Sequence, residues 1–144
     1  MTDLTEVAAA ELARRVRTGD VSPVDVVDAH LERIEALDPD VNAFVTIRAE
    51  DAREAAREIE RAVERGEDPG ALAGVPVAVK DLEDVAGVRS TYGSKPLAET
   101  VAEESELFVE RLRDAGAVVL GKTNTPEFGH KGTTDNLVAG ATGT

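Results

Sequence analysis

The chain has 144 residues, 42% of them hydrophobic, and carries a formal net charge of −13 from 29 acids against 16 bases. That length is enough for one domain with its own core. The absence of cysteine excludes disulfides, thiolate metal sites and a cysteine nucleophile. Nucleic acid and anionic lipid both attract basic segments, so an acidic chain with 12 Arg and only 4 Lys fits neither as a partner. The charge reads first as a solubility device suited to high salt, and second as a face for a basic partner protein. Aromatic residues make up 3%, with no Trp, so the core must come from Ala, Val and Leu. No run of about 18 apolar residues appears, which leaves no membrane-spanning helix. Met1-Thr2-Asp3-Leu4-Thr5-Glu6 lacks the basic start and apolar stretch of a signal peptide, so the expected location is the cytoplasm.

Residues 5–18 predict a helix with Val7, Leu12 and Val16 on one face and Gly19 as its stop. Ser22-Pro23-Val24-Asp25 opens a second, with Ser22 as cap and Pro23 in the first turn. Its apolar stripe is Val27, His30 or Leu31, Ile34 and Leu37, and Asp38-Pro39 ends it. Residues 41–47 are β-branched and aromatic and predict a strand. Residues 48–65 predict a charged helix, with Ala52, Ala55, Ala56, Ile59 and Val63 inward and acid–base pairs three and four apart outward.

The texture then changes. Residues 1–68 carry a net charge near −9 and read as a helical outer layer, whereas residues 69–144 carry about −4. Residues 74–81 form an apolar strand ending in charge, and Thr91-Tyr92-Gly93-Ser94 is a turn. Residues 106–115 predict a helix with Leu107, Phe108, Leu112 and Ala115 inward and Gly116 as its stop. Residues 117–120 are a second buried strand, completing a strand–helix–strand unit within residues 69–128. Residues 129–144 read as a Gly/Thr-rich loop with no periodic apolar pattern, and order is expected to fade after Gly129.

Lys80 is the leading candidate for chemistry. Val75, Val77, Ala78 and Val79 precede it, an approach that would bury its stem. A desolvated lysine has a lowered pKa, and a neutral amine can take a proton from a serine hydroxyl. On the residues alone, the commoner arrangement is a lysine at a strand end with its head in water or paired to Asp81 or Asp84. Lys122-Thr123-Asn124 comes after the second strand in the same way, so parallel strands would bring both polar ends to one rim, where α/β sheets bind ligands. The lone Gly121-Lys122-Thr123 is not a phosphate-binding loop, since Ala117–Leu120, where that loop would lie after Gly116, is strand-like and Thr125-Pro126 prevents a helix directly after it. His30 reads as packing, and His130 has no partner at metal-ligand spacing, so no metal is expected. None of Ser22, Ser90, Ser94 and Ser105 lies in a Gly-x-Ser-x-Gly elbow.

Taken together, Leu72-Ala73-Gly74-Val75-Pro76-Val77-Ala78-Val79-Lys80-Asp81, Asp84-Val85-Ala86-Gly87 and Thr91-Tyr92-Gly93-Ser94 resemble the amidase-signature family. So do residues 112–128, from Leu112-Arg113-Asp114-Ala115-Gly116 through Gly121-Lys122-Thr123-Asn124 to Phe128, and Thr133-Thr134-Asp135-Asn136. The likeness covers nearly the whole chain and is strong as a set. It implies an α/β/α sandwich around a mixed sheet, incomplete in this chain. It also implies amide hydrolysis by a Ser–cis-Ser–Lys triad with no metal or cofactor, Lys80 matching the lysine. The family's two serine segments would both fall after Thr144, so the chain alone is expected to be inactive. Thr133, Thr134 and Asn136 match a loop that lines the family's substrate cleft. Leu82 stands where the family commonly has Asn, and Leu137-Val138-Ala139 where Pro-Leu-Phe is usual, departures that bear on substrate choice.

The expected partners are a small-molecule amide and a C-terminal complementing chain. Two other readings stand beside the hydrolase: a non-catalytic chain that pairs its sheet with a second polypeptide, and the A subunit of a glutamyl-tRNA amidotransferase, which an acidic surface does not favour.

Overall fold

The computed structural model describes residues 3–143 as a mixed α/β protein with four α-helices and a three-stranded sheet. Helix α1 spans Ala9–Arg17 and is preceded by a separate 3-10 turn, Leu4–Glu6. The single helix expected over residues 5–18 is therefore split. The Asp3 carboxylate caps the short turn by accepting the Thr5 N–H at 2.9 Å, and Val7 and Ala8 are extended. That break lets Leu4 and Val7 pack on the buried cluster of Leu12, Val16, Val26 and Ala73.

Helix α2 spans Pro23–Val41. Its cap is the expected one, Ser22 Oγ accepting the Val24 N–H at 3.1 Å while donating to Glu60 Oε1 at 2.6 Å. The helix does not stop at Asp38-Pro39. Proline is costly deep inside a helix, but here it sits in the last turn, where little remains for it to disrupt. The real stop is Asn42, at φ 55°, with the Asp38 carboxylate accepting the Ala43 N–H at 2.7 Å.

Strand β1 (Phe44–Ile47) leads into α3 (Ala49–Glu64). Ala52 and Ala56 of α3 are buried with Val27, Leu31, Val118 and Leu120, a core of small side chains as the composition required. The outer face of α3 carries Arg53–Glu50, Arg57–Glu54 and Arg61–Glu54 ion pairs, each half in water and worth little singly.

Strand β2 (Pro76–Lys80), helix α4 (Leu107–Asp114) and strand β3 (Val118–Thr123) complete the set. The sheet order is β1-β3-β2. β1 runs antiparallel to β3, pairing Phe44 with Thr123, Thr46 with Lys122 and Ile47 with Gly121 across a bulge. β2 runs parallel to β3, with Val118 N–H donating to Val75 O at 2.8 Å and Asp81 N–H to Thr123 O at 2.9 Å. The strand–helix–strand unit is thus present, but β3 extends three residues beyond its expected end because β1 continues its ladder.

On α4 the buried face differs from expectation. Val109 is fully buried, whereas Leu107 and Phe108 are 60% and 45% exposed. The helix starts at Leu107, held from before by the Glu106 N–H to Asp84 O bond, and this phase turns Val109 and Leu112 inward.

The chain forms two compact units: Met1–Ala36, Arg48–Val77 and Arg111–Leu120 in the first, and Leu37–Ile47, Ala78–Glu110 and Gly121–Thr144 in the second. In the second unit, residues 136–143 are tied down rather than fading into disorder, and Thr144 lies outside the described residues. Asn42 Nδ2 donates to Ala139 O and Ala141 O at 2.7 and 2.9 Å, Thr142 Oγ1 donates to Asn42 O at 2.7 Å, and Gly143 N–H reaches Val41 O at 2.7 Å. Side-chain amides here do the work of a ladder, a substitution that leaves no periodic sequence signal.

Candidate active site

All the chemistry-bearing side chains lie in the second unit. Lys80, the last residue of β2, is exposed. The shielding expected from its apolar approach is absent, because the alternating strand buries Val79 and turns the next side chain outward. The commoner arrangement is met in its first form, a lysine at a strand end exposed to water, and not in its second. Among the described residues no carboxylate lies within ion-pairing distance of the Lys80 amine, because both neighbouring acids are committed elsewhere.

Asp81 is 1% exposed, and its carboxylate accepts the Thr91 N–H at 3.2 Å, the Thr91 hydroxyl, and the Lys122 ammonium at 3.1 Å. Lys122 has no exposed surface at all and also donates to Ser90 Oγ at 2.8 Å. A lysine was expected to be desolvated at position 80; the desolvated one is Lys122. The sequence reads it instead as a polar strand end at a rim, because it comes after an apolar run, where a buried and a solvated end read alike. It lies on the central strand of the sheet, between β1 and β2. Removing one member of such a pair costs about 3–5 kcal/mol, since the other is left charged and unpaired.

Asp84 accepts the Tyr92 hydroxyl at 2.6 Å. That bond, then burial and the negative field of Asp84, Glu106 and Asp81, push the phenol up to about 12. Tyr92 and Gly93 both have positive φ, forming the turn predicted at 91–94. Gly93 is obligatory there because a Cβ would come within 2.8 Å of Thr125 O. Phe128 stacks on Tyr92 with ring centroids 6.1 Å apart.

Of the three loop candidates, Thr133 is exposed and Thr134 half-buried, and neither hydroxyl makes a side-chain hydrogen bond among the described residues. Asn136 is different. Its amide nitrogen donates to Asn124 Oδ1 and Thr125 O, both at 2.7 Å, and its oxygen accepts the N–H groups of Val138 and Ala139. Two donors and two lone pairs are all an asparagine amide has, so nothing remains for a ligand. A cavity of about 320 Å³ adjoins this loop, lined by Gly93, Lys95, Glu127, His130, Lys131 and Asn136 among others. Lys80, Thr133 and Thr134 do not line it.

Among the described residues no serine is bonded to Lys80. Ser90 serves Lys122, Ser94 donates to Glu127 Oε1 at 2.8 Å, Ser105 accepts the Ala86 N–H, and Ser22 bonds Glu60. Among the described residues no group of three or more His, Asp or Glu comes together as a cation site. Nor is any helix among them long and apolar enough to cross a membrane.

Fold and site together define an α/β scaffold that presents one unpaired lysine at the carboxyl end of a sheet strand, beside a parallel strand whose own lysine is neutralised inside. Comparison with known proteins says which such scaffold it is. The amidase family profile matches residues 25–143. The chain is 48% identical over 142 residues to the A subunit of the glutamyl-tRNA(Gln) amidotransferase from Salinispora tropica, and 42% identical over 135 residues to an acylamidase from Rhodococcus erythropolis. Those alignments cover 99% and 94% of this chain, but 29% and 28% of the relatives. The crystal structure of a bacterial aryl acylamidase of the amidase-signature enzymes superposes with a TM-score of 0.88 at 37% identity, covering 94% of this chain and 29% of that one. The chain belongs to the amidase-signature family, and it spans under a third of the length of the curated relatives it matches.

Proposed function

We propose that the chain contributes the lysine of an amide hydrolase, with Lys80 as the base. The observation that carries this is the Lys80 amine itself: it ends β2 in the segment that resembles the family's lysine motif, and among the described residues no carboxylate lies within ion-pairing distance of it. In this reading a nucleophilic serine attacks the amide carbonyl. Its proton passes through a bridging serine to Lys80, then returns to the leaving nitrogen, which departs as ammonia or an amine. Water releases the carboxylate from the acyl-enzyme by the reverse relay. Both serines lie in the part of a family-length protein that the 144 residues do not include. The same part supplies the cover that removes Lys80 from water. Thr133 and Thr134 offer hydroxyls to the substrate, a small-molecule amide. Asn136 instead holds the loop in shape.

A chimera tests this. Residues 3–143 replace the matched stretch of the Rhodococcus acylamidase, and hydrolysis of a simple amide is followed by release of its amine. Lys80→Met in the chimera is expected to lower kcat/KM by about 10²–10⁴-fold. An active chimera indifferent to Lys80→Met would sink the assignment. A second reading, a chain that serves by binding another polypeptide, is favoured by the exposed Leu107 and Phe108 on α4.

A further inference from the structure

Residues 134–142 turn back on themselves as an irregular hairpin. Thr142 N–H donates to Thr134 O at 3.0 Å, Asn136 N–H to Gly140 O at 3.3 Å and Gly140 N–H to Asn136 O at 3.1 Å. The returning arm is fastened to the end of α2. Asn42 Nδ2 donates to Ala139 O and Ala141 O, Asn42 O accepts the Thr142 hydroxyl at 2.7 Å, and Val41 O accepts the Gly143 N–H at 2.7 Å. Asn124, just past β3, holds the same arm, its Nδ2 donating to Gly140 O and Thr142 Oγ1, both at 3.1 Å. Thr142 is the meeting point: its side chain joins Asn42 to Asn124, and its N–H holds Thr134.

Asn42 ends α2 with φ 55°. Glycine is the usual residue for such a stop, having no Cβ to strain, and would end the helix as well. What asparagine adds is a side-chain amide, and its nitrogen donates twice to the hairpin. Docking, rather than the stop, accounts for the residue. At the other end of the path the Thr134 carbonyl is held, while its hydroxyl makes no side-chain hydrogen bond among the described residues. A fixed backbone with an uncommitted hydroxyl is what presenting that group to a ligand requires. We propose that Asn42 is a positioning residue that, through Thr142, holds Thr134 in place for the substrate. The inference rests on the reading of Thr134 as a residue that offers its hydroxyl to the amide.

The test has two arms, both on Asn42→Gly, which keeps the turn and drops the amide. The first is native-state hydrogen exchange of the 144-residue chain, without substrate. The Asn136, Gly140 and Thr142 amides should exchange about tenfold faster or more, while the Val118 and Asp81 amides between β2 and β3 stay within about twofold. Unchanged exchange in the hairpin overturns the proposal. So does an equal loss of protection at Val118 and Asp81, which a purely structural Asn42 would give. The second arm is the acylamidase chimera. There Asn42→Gly should raise KM about fivefold or more with kcat within about twofold, the pattern of lost binding. Thr134→Val should raise KM likewise, and adding it to Asn42→Gly should change KM by less than about twofold, because both act through one hydroxyl. Full additivity of the two overturns the proposal, as does a KM that moves with Thr134→Val but not with Asn42→Gly. A KM indifferent to Thr134→Val overturns the reading of Thr134 and this proposal with it. Loss of Lys80 as the base shows at Lys80→Met alone, so that failure is a separate result. Should Asn42→Gly fail to fold, Thr142→Val takes its place in both arms with the same expected and overturning results: it removes the hydroxyl between Asn42 and Asn124 and keeps the N–H on Thr134 O.

Discussion

Tyr92 is the only tyrosine in a chain without tryptophan, so its ionisation can be followed by ultraviolet absorbance without interference. Its hydroxyl donates to Asp84, and the folded midpoint is expected near 12, against about 10 in denaturant. The folded value is the higher one. The stability linked to this proton is therefore fully present below pH 10 and lost as pH rises through about 12. Asp84→Asn should move the midpoint back toward 10; a midpoint that stays put would mean the bond is not made in solution. At this scale the sequence was legible only in part. The 91–94 turn could be picked out from its residue types, and Lys80 could be placed at a strand end but not as exposed. The pairing of Asp81 with Lys122 could not, because it joins residues 41 apart through two strands. Asn136 was expected to face a substrate, and its saturated amide could not be read from the sequence, since its four partners become known only when the loop is closed.

Among the elements, β3 shows what a glycine can decide. Gly121 lies where a Cβ would come within 2.1 Å of the Thr46 carbonyl oxygen of β1. Gly121→Ala must push the two strands apart, at about 1–3 kcal/mol. Urea unfolding should show the loss, and the Arg48 and Asn124 amides, which bond to Leu120 O and Ala43 O, should exchange faster. Gly132→Ala is the control, with nothing within 4 Å of the added carbon, and should stay within about 0.5 kcal/mol of the parent. Unchanged amide protection in Gly121→Ala would contradict the pairing. Periodicity located all four helices and all three strands. It missed the break at Val7–Ala8, the passage of α2 through Pro39 and the phase of α4. Each of these is set by a capping contact or a partner strand rather than by local pattern.

For the whole molecule the governing quantity is the charge of −13. Its surface ion pairs are mostly exposed arginine–carboxylate contacts, which salt weakens, while the excess of acids repels itself, which salt relieves. With 13 uncompensated negative charges the second effect should win. Raising sodium chloride from about 0.05 to 1 M, where the screening length drops to about 3 Å, should raise Tm by several degrees. A fall in Tm would show that the ion pairs outweigh the repulsion.

The sequence by itself determined the α/β class, the order of the elements, the acidic character and the likeness to the amidase-signature family, because each is written in local residue types and their spacing. Only the tertiary structure decided which lysine is buried and which is free. Strands remote in sequence close over Lys122 while the pleat of β2 turns Lys80 outward, and burial is a property of neighbours in space.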